Sequence, residues 1–168
     1  MAKRQITAKP LTLEGFATYG RYAAMSNPQG VNTFNRPPVT FSPDLISLDT
    51  NGKPPWFSVC CVSPRPPIIK ETEVHSKTEE LYYADKDTVI HVGPPTADNN
   101  PPLDAFEAFH VPAHTLVVLK RRVWHHAGYT ITNATEPASI VIGLPACTYH
   151  NDCDVVKLGE DDQIEIAA

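Results

Sequence analysis

Seventeen prolines in 168 residues, about twice the usual share, set the first limit on this chain. Proline lacks a backbone N–H and blocks helix interiors. Many prolines therefore suit short strands joined by turns better than long helices. The apolar runs between the prolines are indeed short: "FSVCCVS" (57–63), "PIIKETEV" (67–74), "ELYYA" (80–84), "TVIHVG" (88–93), "HTLVVL" (114–119), "VWHHAGYTI" (123–131) and "ASIVIGL" (138–144). Clusters of Pro, Gly, Asn and Asp separate them. Short strands at near-regular spacing imply a β-sandwich or barrel, formed as one domain over residues 1–168.

Two helical pieces are expected beside the strands. "PLTLEGFATYGRYAAM" (10–25) reads as a helix capped by Thr12, stopped by Gly20 and packed outside the barrel. "NNPPLDAFEAFHV" (99–111) has Leu103, Phe106 and Phe109 at spacing three and reads as one short helix. Residues 26–44 read as loop, and "KLGEDDQIEIAA" (157–168) as a short strand or surface tail.

A net charge of −5 gives no broad basic face, so nucleic acid is not an expected partner. No apolar run reaches the length of a membrane span. The opening "MAKRQITAKP" has no apolar signal region, which makes the cytoplasm the expected location. Cys60, Cys61, Cys147 and Cys153 match no zinc spacing and read as small buried hydrophobes.

The histidines carry the chemistry. His75 lies five residues before Glu80, an odd spacing that would put them on opposite faces of one strand. The polar "SKTE" between them makes a turn, so that His75 ends one strand and Glu80 begins the next, both facing inward. Tyr82 then shares the face of Glu80. In "VWHH" the two histidines point oppositely. We expect His125 inside, with Trp124 and His126 on the other face. His75, Glu80 and His125 together suit a divalent metal such as Ni, Zn, Mn or Fe, with positions open for substrate. They also suit acid–base work near neutral pH.

This two-part arrangement resembles the cupin superfamily. A closer resemblance is to the ureidoglycolate lyase family of allantoin breakdown in purine catabolism. It is carried by "LTLEGFATYGRY" near the start, by "EVHSKTEELYY" (73–83), by "PPLDAFEAF", by "RRVWHH" and by "NDCDV" (151–155). Glu80 stands where the family commonly has Gln. Val118, Leu119, Lys120 and Arg121 stand where it usually shows Asn-Tyr-His-Arg. The resemblance implies an all-β, cupin-like β-barrel or jelly roll with a short N-terminal helix and one short inserted helix. It also implies a homodimer and a carbon–nitrogen lyase of the amidine-lyase type, cleaving ureidoglycolate to glyoxylate and urea. On that reading Lys77, Glu80 and Tyr82 are catalytic, and Lys77, Lys120 and His126 bind substrate. The metal sits on His75, Glu80 and His125. The alternatives are a cupin lyase or isomerase for another hydroxy, keto or sugar acid, and a non-enzymatic small-molecule-binding cupin.

Overall fold

A computed structural model describes residues 4–26, 28, 33–131 and 133–167. In chain order the elements are β1 (Arg4–Pro10), α1 (Leu13–Phe16), β2 (Gly20–Ala24), β3 (Phe34–Arg36), β4 (Val39–Phe41), β5 (Pro55–Val62), β6 (Ile68–Ile69), β7 (Glu71–Val74), β8 (Glu80–Ala84) and β9 (Thr88–Gly93). They continue as β10 (Glu107–Val111), β11 (Thr115–Leu119), β12 (Trp124–His125), β13 (Tyr129–Thr130), β14 (Ala138–Pro145), α2 (Thr148–Asn151), β15 (Asp154–Lys157) and β16 (Ile164–Ala167). Single 3-10 turns lie at Leu103–Ala105 and Glu160–Asp162.

Two sheets face each other in an all-β, cupin-like fold. The larger runs β15-β7-β12-β9-β10-β1-β16-β6, with β13 also paired to β9, and the smaller runs β2-β11-β8-β14-β5. Strand alternation builds the layer between them. β8 buries Glu80, Tyr82 and Ala84 and turns Leu81 and Tyr83 away. Tyr82, Val117, Leu119, Ile140 and Ile142 from the smaller sheet pack on Ile90, Val92, Phe109 and Val111 from the larger. β9 is buried along its whole length because its other face is covered too. There Val89 joins Trp124, Tyr129, Ile69, Ile164 and Ile166 in a second apolar cluster. The larger sheet curls, and β16 and β6 come round over the back of β9.

The expected helix over 10–25 survives only as α1. Thr12 caps it, its hydroxyl accepting from Gly15 N at 3.1 Å. Gly20 does not stop a helix. It opens β2, which pairs antiparallel with β11, Gly20 opposite Leu119. A Cβ at Gly20 would lie 2.1 Å from the Val118 carbonyl oxygen. β11 supplies backbone partners that a continuing helix would forgo, and the missing side chain lets the strands close. The expected inserted helix is the single turn at Leu103–Ala105. Phe106 and Phe109 beyond it are buried on the way into and along β10. The 26–44 stretch holds the β3–β4 hairpin, and its residues 27 and 29–32 lie outside the described set, as do residues 1–3. The tail contributes β16, which pairs in parallel with β1.

Gly20→Ala tests the close approach. The added methyl meets backbone, which cannot rotate away, and is expected to cost about 1–3 kcal/mol. Thermal denaturation followed by circular dichroism checks it. An unchanged midpoint would show that β2 is not held against β11.

Candidate functional site

β7 belongs to the larger sheet and β8 to the smaller, so the link between them crosses the interlayer space. His75 sits at the near end of that link and Glu80 at the far end. They face each other: His75 Nε2 is 3.0 Å from Glu80 Oε2. β12 places His125 opposite Glu73 of β7, and His125 Nε2 lies 3.2 Å from the same Glu80 oxygen. The two imidazole centroids are 5.2 Å apart. His75, Glu80 and His125 are 2%, 5% and 3% exposed.

Backbone carbonyls aim both rings. His75 Nδ1 donates to the Asp152 carbonyl at 2.6 Å, and His125 Nδ1 to the Val123 carbonyl at 2.8 Å. Each proton is fixed on Nδ1, and each Nε2 turns to the centre. The backbone is pinned as well. The Asp152 carboxylate accepts from Ser76 N and Oγ and from Lys77 N, which holds the crossing turn. Arg122 N donates to the His75 carbonyl at 2.7 Å, and Thr72 Oγ1 to the His125 carbonyl at 3.0 Å. The basic turn after β11 thus ties the two histidine-bearing segments together.

Charge follows from this packing. Burial alone would raise the Glu80 carboxyl, but the charge and hydrogen bonds of the two imidazoles outweigh it and hold the group below its ordinary range. Burial alone would lower His125, but the Glu80 carboxylate outweighs it and lifts the imidazole. The state this favours is a buried Glu80 carboxylate against an imidazolium at His125. Glu80 Oε2 takes both imidazoles, and Oε1 has no hydrogen-bond partner among the described residues.

An imidazole between two oxygen acceptors is satisfied only with two protons, or with a metal ion on its second nitrogen. Glu73, His75 and His125 offer ligand atoms that all lie within 4.8 Å of one another. This donor set, with Glu73 where Glu80 was expected, fits a divalent transition metal. Proton and metal compete for the same Nε2 atoms. Metal binding is therefore expected to release protons, on the order of one per ion. Its affinity should rise with pH beyond the ordinary imidazole value of about 6.5. Calorimetry with Zn²⁺ in two buffers of different ionisation enthalpy checks this. Binding without proton release would take His125 out of the ligand set.

The two expected lysines are bonded outside the cluster. Lys77 Nζ donates to the Asn151 carbonyl at 2.7 Å on the surface, and Lys120 Nζ to the Ala17 carbonyl. Neither lysine shares a hydrogen bond with the cluster among the described residues. Tyr82 shares the inward face of Glu80, is buried, and donates to Thr88 Oγ1 at 2.8 Å. His126 is on the opposite face of its strand from His125, 3.5 Å from Glu71 Oε1.

Three residues not assigned to the site from sequence complete the surroundings, among them Cys153, which is part-buried rather than buried. Glu73 precedes His75 by two, the strand period, and that signal was readable. Cys153 Sγ donates to Glu73 Oε2 at 3.2 Å, and burial with that carboxylate pushes its thiol up to about 12. It is a poor nucleophile there. Tyr149, half exposed, stands edge-on to His75 with centroids 6.3 Å apart. No local pattern announced it, because α2 reaches the site only through the tertiary fold.

Curated proteins gave no match by sequence. Among solved structures, a dTDP sugar isomerase from Desulfovibrio desulfuricans G20 is similar at 13% identity over 84% of this chain and 85% of that one, with a TM-score of 0.45. The model of the family described as ureidoglycolate lyase matches residues 3–165. On that match, which leaves out only a few residues at either end, the chain belongs to the ureidoglycolate lyase family.

Proposed function

We propose that this lyase splits ureidoglycolate into glyoxylate and urea with Glu80 as the proton carrier, in the manner of an amidine-lyase. The observation that carries the reading is the division of labour on one carboxylate. Oε2 is held by His75 and His125, while Oε1 is unbonded among the described residues. The substrate carbon bears both a hydroxyl and the urea nitrogen. Glu80 Oε1 takes the hydroxyl proton as the C=O bond forms and the C–N bond breaks. It then gives that proton to the departing nitrogen, which regenerates the carboxylate. The imidazoles hold the carboxylate in place and keep it ionised between turnovers. Tyr82 supports the floor beneath Glu80. Part-buried Glu73 and Cys153 and half-exposed Tyr149 are proposed to border the substrate.

A divalent metal held by Glu73, His75 and His125 would displace the imidazole protons that Glu80 Oε2 accepts, and would supply in their place the positive charge beside Glu80 and polarisation of the substrate hydroxyl. The protein is proposed to act in the cytoplasm as a homodimer. Exposed Trp56, Phe57 and Val59 on the edge strand β5 support a second copy there.

Purified protein given ureidoglycolate, with its metal content measured beside the assay, tests the reading. Urea and glyoxylate should appear in equal amounts. No urea release, with the protein folded and metal supplied, would end it.

A further inference from the structure

β12 separates two chemically different surfaces. His125 faces the cluster described above. His126 faces a cavity of about 200 Å³ on the opposite side, bordered by Arg65, Ile68, Lys70, Glu71 and Tyr129. The register explains why His126 and Tyr129 both reach it. Trp124 and His125 pair with Gly93 and Val92, but Tyr129 pairs with Val89. Five steps along the Trp124–Tyr129 segment thus match four along β9. This extra residue is a β-bulge, and it turns an even and an odd position to one face.

The cavity is organised for charge. The Arg65 guanidinium lies over the Tyr129 ring, 4.5 Å from its centroid. One of its nitrogens donates to the Gly128 carbonyl at 3.2 Å, which leaves most of its five donors unspent. Tyr129 is itself fixed, its hydroxyl donating to the Ile68 carbonyl at 3.0 Å. Among the described residues, neither Arg65 nor Lys70 forms an ion pair. Glu71 is the one lining carboxylate, and it lies against His126.

We propose that this cavity is a binding site for a small monocarboxylate. The carboxylate lies on Arg65 and Lys70, and the carbon skeleton on Tyr129 and Ile68. Two unpaired cations and one carboxylate leave a single positive charge, which suits a monoanion better than a phosphate dianion. The volume is below the roughly 300–1,000 Å³ of drug-sized pockets, so the ligand has few carbons. The site is separate from the Glu80 centre and does not depend on the reaction assigned there.

The test is a glycolate titration of the full-length protein, read by NMR at the His126 and Tyr129 rings. Saturable shifts at both are expected. Arg65→Gln and Lys70→Gln should each weaken binding by about tenfold, the scale of one charge-assisted hydrogen bond. His75→Ala should leave these shifts in place. Four results would overturn the proposal: no saturable shift, undiminished binding in both cation variants, inorganic phosphate binding more tightly than glycolate, or loss of the shifts in His75→Ala. The last would put the ligand in the barrel instead.

Discussion

Glu80→Gln lowers kcat by about 10²–10⁴-fold, the range of a positioned proton-transfer group, with little change in KM. The amide matches the carboxylate in size but cannot take the hydroxyl proton at Oε1. It also removes the charge that holds His125 as imidazolium. The double variant Glu80→Gln/His125→Ala should lose little more than Glu80→Gln alone, because the imidazole acts through that carboxylate and such effects do not add. Steady-state urea release, with folding checked by circular dichroism, measures both. The substitution also installs the residue that the family commonly carries here, which makes it the severest challenge to the proposal. Undiminished turnover would move the proton carrier from Glu80 to an imidazole.

Trp124→Ala is expected to cost about 3–5 kcal/mol, a large part of the 5–15 kcal/mol that a domain usually has. Trp124 is 1% exposed and packs with the second apolar cluster behind β9. Its indole N–H donates to Thr96 Oγ1 at 3.1 Å. Truncation leaves both a cavity and an unpaired hydroxyl. Denaturant titration reads the loss. The indole faces away from Glu80, so ligand binding by the remaining folded protein should be kept. A variant as stable as the parent but unable to bind ligand would mean that the faces of β12 are exchanged.

β8 and β9 were legible to the residue, because each is a dense apolar run bounded by polar turn residues. β1 was not. "RQITAKP" is polar enough to pass for a loop, and its partners β10 and β16 lie far along the chain. β2 was misread for a related reason. "GRYAA" has good helix formers, and only β11 decides otherwise. Within the site, the turn between His75 and Glu80 and the alternation at "WHH" were readable, and they place three side chains around one point. The carbonyls of Asn151 and Ala17 that take Lys77 and Lys120 were not readable, because a long flexible side chain finds its partner only in the folded chain. Tyr149 and Asp152 come from α2 and its end, brought in by packing that no local periodicity records.

The extra residue lies in 126–128, between the two paired stretches. Removing it would leave four steps on each strand, so Trp124 and His125, and Tyr129 and Thr130, would keep their partners and their faces, and only the twist that the bulge adds would be lost. Gly128 has no room for a side chain, since a Cβ there would lie 2.5 Å from the Tyr82 hydroxyl. Over evolutionary drift this segment can therefore shorten by one residue more readily than it can fill position 128.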